Sequence, residues 1–166
     1  MKLILFWLSI FISQGCLSQI IPLEKAIIFA RKPFSEVSDY LTNAGWDYFG
    51  RDASDTNKNE LKYIWSYDYN KESKVSTNLL YTSKEVHSDT VFNFEEGISK
   101  EFYINALKTL PTMGFKEENT FPQADLIEKI FWRRSTLVEL MSSIYTTKDG
   151  NRQNGYYLIV SRVIAD

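Results

Sequence analysis

Polar and apolar positions alternate most strictly between Glu60 and Tyr69, where Leu61, Tyr63, Trp65, Tyr67 and Tyr69 fall two apart and Lys62, Ser66 and Asp68 occupy the opposite side. A β-strand turns successive side chains to opposite faces, so this period predicts a half-buried strand with its aromatic side against the core. Asn70 to Ser73 supplies turn residues, and Val75, Thr77, Leu79 and Tyr81 alternate again in a second strand. Val91 to Phe94 adds a shorter one. Upstream, Phe34, Val37, Leu41 and Ala44 recur at spacings of three and four, which predicts a short amphipathic helix with Ser35 as its N-cap and Gly45 just past its end. The apolar stretch within Ile20 to Arg31 suits either a strand or a short helix. Arg51 to Asn59 reads as a polar loop.

The same order recurs downstream. Ile98, Phe102, Ala106 and Leu110 lie four apart with Tyr103 and Leu107 widening the stripe, and Pro111 is expected to stop this second helix. Gly114-Phe115 follows it as Gly45-Trp46 follows the first, 69 residues apart, and after a further polar loop Lys129-Ile130-Phe131-Trp132 answers Lys62-Tyr63-Ile64-Trp65 at an offset of 67. Leu137 to Tyr145 alternates as a strand, Thr147 to Gly155 reads as a polar loop with an Asp149-Gly150 turn, and Tyr156 to Val163 closes the chain as a last strand. The expected fold class is α+β: two tandem helix-plus-antiparallel-meander units, residues 33–94 and 98–163, in one domain spanning 19–166. In its order of elements this arrangement resembles tandem helix-plus-meander folds such as the beta-lactamase-inhibitor protein family. The likeness is one of order and matches no motif, so it implies a fold and no function. Two helices cannot cover both faces of seven or eight antiparallel strands, and one sheet face is expected to meet solvent.

The first 18 residues carry a different pattern. Lys2 precedes an apolar run from Leu3 to Ile12 broken only by Ser9, and a small, polar stretch follows, which is the order of a secretory signal peptide. Cleavage after Ser18 gives a mature chain beginning at Gln19. The alternative is lipidation at Cys16, preceded by Gly15, which makes the protein an envelope lipoprotein. Either way the destination is export, to the periplasm, the outer-membrane surface or the medium. The run is too short to span a bilayer.

Composition narrows the chemistry further. The 166 residues include one Cys and one His, so a multi-cysteine zinc site, a His-rich metal centre and a disulfide framework are excluded for a single copy. Cleavage after Ser18 leaves 148 residues with 18 basic and 21 acidic side chains, Lys2 being the only charge removed, and a net charge of −3 gives no general attraction to nucleic acid. Dinucleotide, Walker-type and His-Glu-x-x-His motifs are missing, and no cofactor or metal is expected. His87 between Glu85 and Asp89, with Ser88 beside it, is read as an exposed loop histidine, because no Gly-x-Ser-x-Gly elbow positions a nucleophile. Glu95-Glu96, Glu117-Glu118 and Asp52 with Asp55 are read as solvated edges, since adjacent side chains in a strand diverge. Lys129, Arg133 and Arg134 near Phe131 and Trp132 form a basic cluster with the chemistry to hold an anion.

The aromatic content is the unusual feature: 25 residues in all, of which 22 remain after cleavage at Ser18. Tyr and Trp are enriched in recognition surfaces. The expected function is therefore a binding or protein-interaction module with an unidentified protein or small-molecule partner. Trp132, Tyr145, Tyr156 and Tyr157 are the candidate surface. No catalytic residue is assigned, and a hydrolase ranks behind the binding and lipoprotein readings.

Overall fold

The computed structural model describes residues 21–51, 60–67, 72, 78–85, 87–88, 90–123, 125–147 and 149–163. The signal segment with Cys16, Asp52 with Asp55, Tyr69, Val75 and Thr77 lie outside the described residues. Three helices and eight strands are described in the order α1 (Leu23–Phe29), α2 (Phe34–Asn43), β1 (Trp46–Arg51), β2 (Glu60–Tyr67), β3 (Asn78–Glu85), β4 (Val91–Gly97), α3 (Lys100–Thr112), β5 (Lys116–Gln123), β6 (Leu126–Arg133), β7 (Thr136–Thr146) and β8 (Arg152–Arg162). The strands make one antiparallel sheet in the order β1-β2-β3-β4-β8-β7-β6-β5, so β1 and β5 are the edges and β4 joins β8 at the centre. The α+β class is as expected.

Register assigns every strand residue to a face. Tyr63 pairs with Thr82, Thr82 with Phe94, Phe94 with Val160, Val160 with Val138, and Val138 with Phe131. One row over, Trp65, Leu80, Glu96, Leu158 and Leu140 stand in line. All three helices meet this face: Phe29 of α1 packs against Phe94, Phe34 of α2 against Tyr63 and Trp65, and Tyr103 of α3 against Tyr156. The buried cluster lies between these layers and includes Trp46, Trp65, Phe94, Phe131, Leu110 and Leu158. Trp65 also donates its indole N–H to Thr82 Oγ1 at 3.1 Å, so its one polar atom is satisfied within the core.

The stretch ahead of Arg31 is a helix rather than a strand, and its inner side, Leu23, Ala26 and Phe29, is buried. Leu23, Ala26, Phe29 and Ala30 recur at helical spacing, while Pro22 closes its N-terminal side. Helix α2 starts where expected, yet Ser35 lies inside its first turn. Pro33 is the N-cap residue, with φ −52° and ψ 139° and no side-chain cap. Pro33 is held extended by a bridge to Thr90, which fixes the entry to the helix two residues earlier than a serine cap predicts. In α3 the cap is a side chain, Ser99 accepting from the Phe102 N–H at 3.1 Å. Pro111 sits within the last turn and the helix ends at Thr112.

The polar stretch expected as a loop after Gly114-Phe115 contains strand β5, and β1 forms ahead of the expected 51–59 loop, overlapping it only at Arg51. These two strands are the sheet edges, where one backbone side faces solvent and side chains need not alternate. The polar run after Thr146 is also shorter than expected, since β8 begins at Arg152. There Arg152, Gln153 and Asn154 pair with Thr146, Tyr145 and Ile144 in a hairpin end that projects beyond the core.

Candidate functional site

The opposite face of the sheet carries no helix among the described residues. Its central row runs Ile64, Tyr81, Glu95, Ile159, Glu139 and Ile130 in register across six strands. A second row places Tyr157 beside Met141 and Met141 beside Glu128, and a third places Leu137 beside Trp132. Most of these side chains are half-buried by one another, a condition typical of recognition surfaces with an apolar body and polar rim.

Of the four candidate aromatics, three share this face. Trp132 is half-buried, and Tyr145 and Tyr157 are each 44% exposed. Gly155 lies beneath the two tyrosines: a Cβ there would sit 3.1 Å from the Tyr157 ring, 3.2 Å from the Tyr145 ring and 3.2 Å from Ser143 Oγ. The glycine therefore lets both rings settle onto the backbone of β8, where their area is presented rather than folded away. Tyr145 is further steadied by a hydrogen bond from its hydroxyl to Gln153 Oε1 at 3.2 Å. Tyr156 does not join them. It points to the helix side and stacks on Tyr103 with ring centroids 5.2 Å apart, because neighbours in one strand face opposite ways.

Electrostatically the face is marked by Glu139. Burial pushes its carboxyl up to about 7, helped by a hydrogen bond and like charge from Glu128 and by the charge of Glu95. Glu95 itself is matched by Lys62 at 2.9 Å, and the Lys62 ammonium lies 4.6 Å from the Tyr81 ring centroid. Below pH 4.5 Glu139 is protonated both folded and unfolded; between 4.5 and about 7 only the folded chain keeps the proton. Stability therefore falls as pH rises through that window, by about 1–2 kcal/mol once solvent contact is allowed for. Glu139→Gln is expected to flatten this dependence when urea midpoints are compared at pH 5 and pH 8. An unchanged difference between the two midpoints would assign the effect elsewhere.

The remaining sequence candidates are dispersed. His87 is exposed in the β3–β4 connection, and Ser88 Oγ accepts from the Thr90 N–H at 3.1 Å. Glu95 and Glu96 face opposite sides of the sheet, and Glu96 is buried rather than solvated. Glu117 is tied to Lys129 at 2.5 Å, which holds its carboxyl below the ordinary value. Of the basic cluster, Lys129 is thus engaged, while Arg133 lies 5.8 Å from the Phe115 ring centroid and Arg134 occupies the β6–β7 turn. No group of three or more metal-ligating side chains occurs among the described residues, and no described helix is long and apolar enough to cross a membrane.

The comparisons add no relative: no family model, no curated protein and no solved structure matches the chain. The likeness in element order to the beta-lactamase-inhibitor family accordingly carries no function.

Proposed function

We propose that this chain is an exported binding module whose helix-free sheet face, centred on Tyr145 and Tyr157 and running along the sheet to Trp132 at the β6–β7 end, recognises a protein or small-molecule partner. The observation that carries the reading is the pair of 44%-exposed tyrosine rings seated over Gly155 on that face. Rigid aromatic side chains present a large contact area at small entropic cost, and a β-sheet backbone holds them in fixed register. Export rests on the Met1 to Ser18 pattern, with maturation after Ser18 as the main reading and anchoring through Cys16 as the alternative that Gly15-Cys16 favours.

We infer in addition that the sheet arose from a duplicated helix-plus-meander unit. Gly45 and Gly114 have φ 85° and 82°, and the register breaks at Tyr48/Gly50 and at Glu117/Asn119, each pair 69 residues apart. In the next strand Trp65 opposite Tyr48 corresponds to Phe131 opposite Glu117, an offset of 66, and both are core residues. The offset of 67 read from the sequence would match Trp65 with Trp132, which lies on the other face.

Native mass spectrometry of exported material, comparing the natural chain with a Trp132→Ala, Tyr145→Ala, Tyr157→Ala triple variant, tests the binding role. The natural chain is expected to retain a stoichiometric partner and to begin at Gln19. The variant is expected to keep its far-UV circular dichroism and lose that partner. Equal retention by both chains would remove the face from the reading, and a mass beginning at a lipidated Cys16 would select the anchored form.

A further inference from the structure

On the helix side, at the far end of the molecule from Gly155, the C-terminal end of α1 and the β6–β7 turn enclose a groove of about 510 Å³. This is within the volume range of small-molecule sites. Its cationic wall is Arg31, Lys32, Arg133 and Arg134. Its apolar wall is Ile27, Ile28, Pro33 and Phe115, with Ile28 left 46% exposed.

Three features set this groove apart from an ordinary solvated basic patch. Among the described residues Lys32 pairs with Glu36 at 2.8 Å, but no carboxylate pairs with Arg31, Arg133 or Arg134. Arg31 is nevertheless held in place, its guanidinium donating to Ser135 Oγ at 3.1 Å and to Thr136 Oγ1. Arg134 has φ 57°, the one positive φ at a non-glycine residue among those described, at the first position of the two-residue turn between Arg133 and Thr136. Glycine is the residue that adopts this conformation without strain, so the arginine stands there against a backbone preference. Backbone strain of this kind concentrates at functional sites.

We propose that this groove is a second binding site, for an amphipathic anion whose single carboxylate or phosphate head meets Arg31, Arg133 and Arg134 while its apolar body lies along Ile27, Ile28 and Phe115. Guanidinium forks match the planar carboxylate and the phosphate alike, so either head satisfies the cationic wall. The site is independent of the open sheet face and stands or falls separately from the partner reading above.

Isothermal titration of the purified protein with decanoate, monodecyl phosphate, neutral decyl maltoside and inorganic phosphate tests it. At least one of the two amphipathic anions is expected to bind, and which binds more tightly identifies the head. The tighter of the two is expected to exceed the neutral detergent and bare phosphate by about ten-fold or more, and raising the salt is expected to weaken it. Arg134→Gly is the decisive variant: it removes the side chain and the unfavourable φ together, so thermal stability holds or rises while anion affinity falls about ten-fold. Arg133→Gln, which leaves the turn untouched, is expected to weaken the anions in the same direction. Decyl maltoside binding as well as the anions, no binding of either anion at millimolar concentration, or unchanged affinity in both variants would overturn the proposal.

Discussion

Trp65→Ala is expected to destabilise the protein by about 3–5 kcal/mol, whereas Trp132→Ala should cost about 1 kcal/mol. Both are tryptophans in strands at the same place in the local sequence pattern, and the difference is one of face. Trp65 is 1% exposed, with the Tyr48 and Phe34 ring centroids at 5.1 and 6.2 Å, and it satisfies the otherwise buried hydroxyl of Thr82. Truncation there leaves a cavity beneath α2 and an orphaned Thr82 acceptor, two penalties that add. Trp132 lies on the helix-free face, so water fills the space its indole vacates. Urea unfolding of the two variants at constant m decides the matter. Comparable losses would mean that the face assignment across β2 and β6 is wrong.

The same contrast explains what the sequence disclosed. The inner side of β2 was legible because a strand covered on one face must alternate, and Tyr63, Trp65 and Tyr67 do face the helices. Helices α2 and α3 were legible from their apolar stripes. Edge strands answer to a weaker constraint: β5, reading Lys-Glu-Glu-Asn-Thr-Phe-Pro-Gln, has little to bury and even admits Pro122, so nothing in its pattern separates it from a loop. Helix α1 was ambiguous because seven residues give fewer than two full turns of period.

For the site, period two already held one answer that composition obscured. Tyr156 and Tyr157 are adjacent in a strand and cannot share a face, so a surface containing one excludes the other. Glu139 had a signal as well, a carboxylate in the middle of the set Leu137, Glu139 and Met141, but its meaning depended on Glu128 lying diagonally across β6. The anion groove was half legible. Arg133 and Arg134 stand together in the chain, while Arg31 arrives from more than a hundred residues away. Only the packing of α1 against the sheet brings it there.

That packing depends on one buried carboxylate, and Glu96→Ala is expected to cost about 2–4 kcal/mol and to loosen α1 ahead of the sheet. Glu96 is 2% exposed, stands in line between Leu80 and Leu158, and accepts from the Ile21 backbone N–H with both oxygens at 3.2 Å. Ile21 is itself buried and directly precedes the Pro22 cap of α1, so this contact fixes where the helix enters the core. Removing the side chain leaves the amide of Ile21 buried without its acceptor, whereas Glu96→Gln retains one acceptor oxygen and should lose about half as much. Hydrogen exchange separates a pin from a general core residue. In Glu96→Ala the amides of Ala26 to Phe29 should gain exchange by more than the change in global stability accounts for, while those of β4 and β8 follow the global change alone. Uniform acceleration across helix and sheet would show that Glu96 supports the core as a whole and does not act through Ile21.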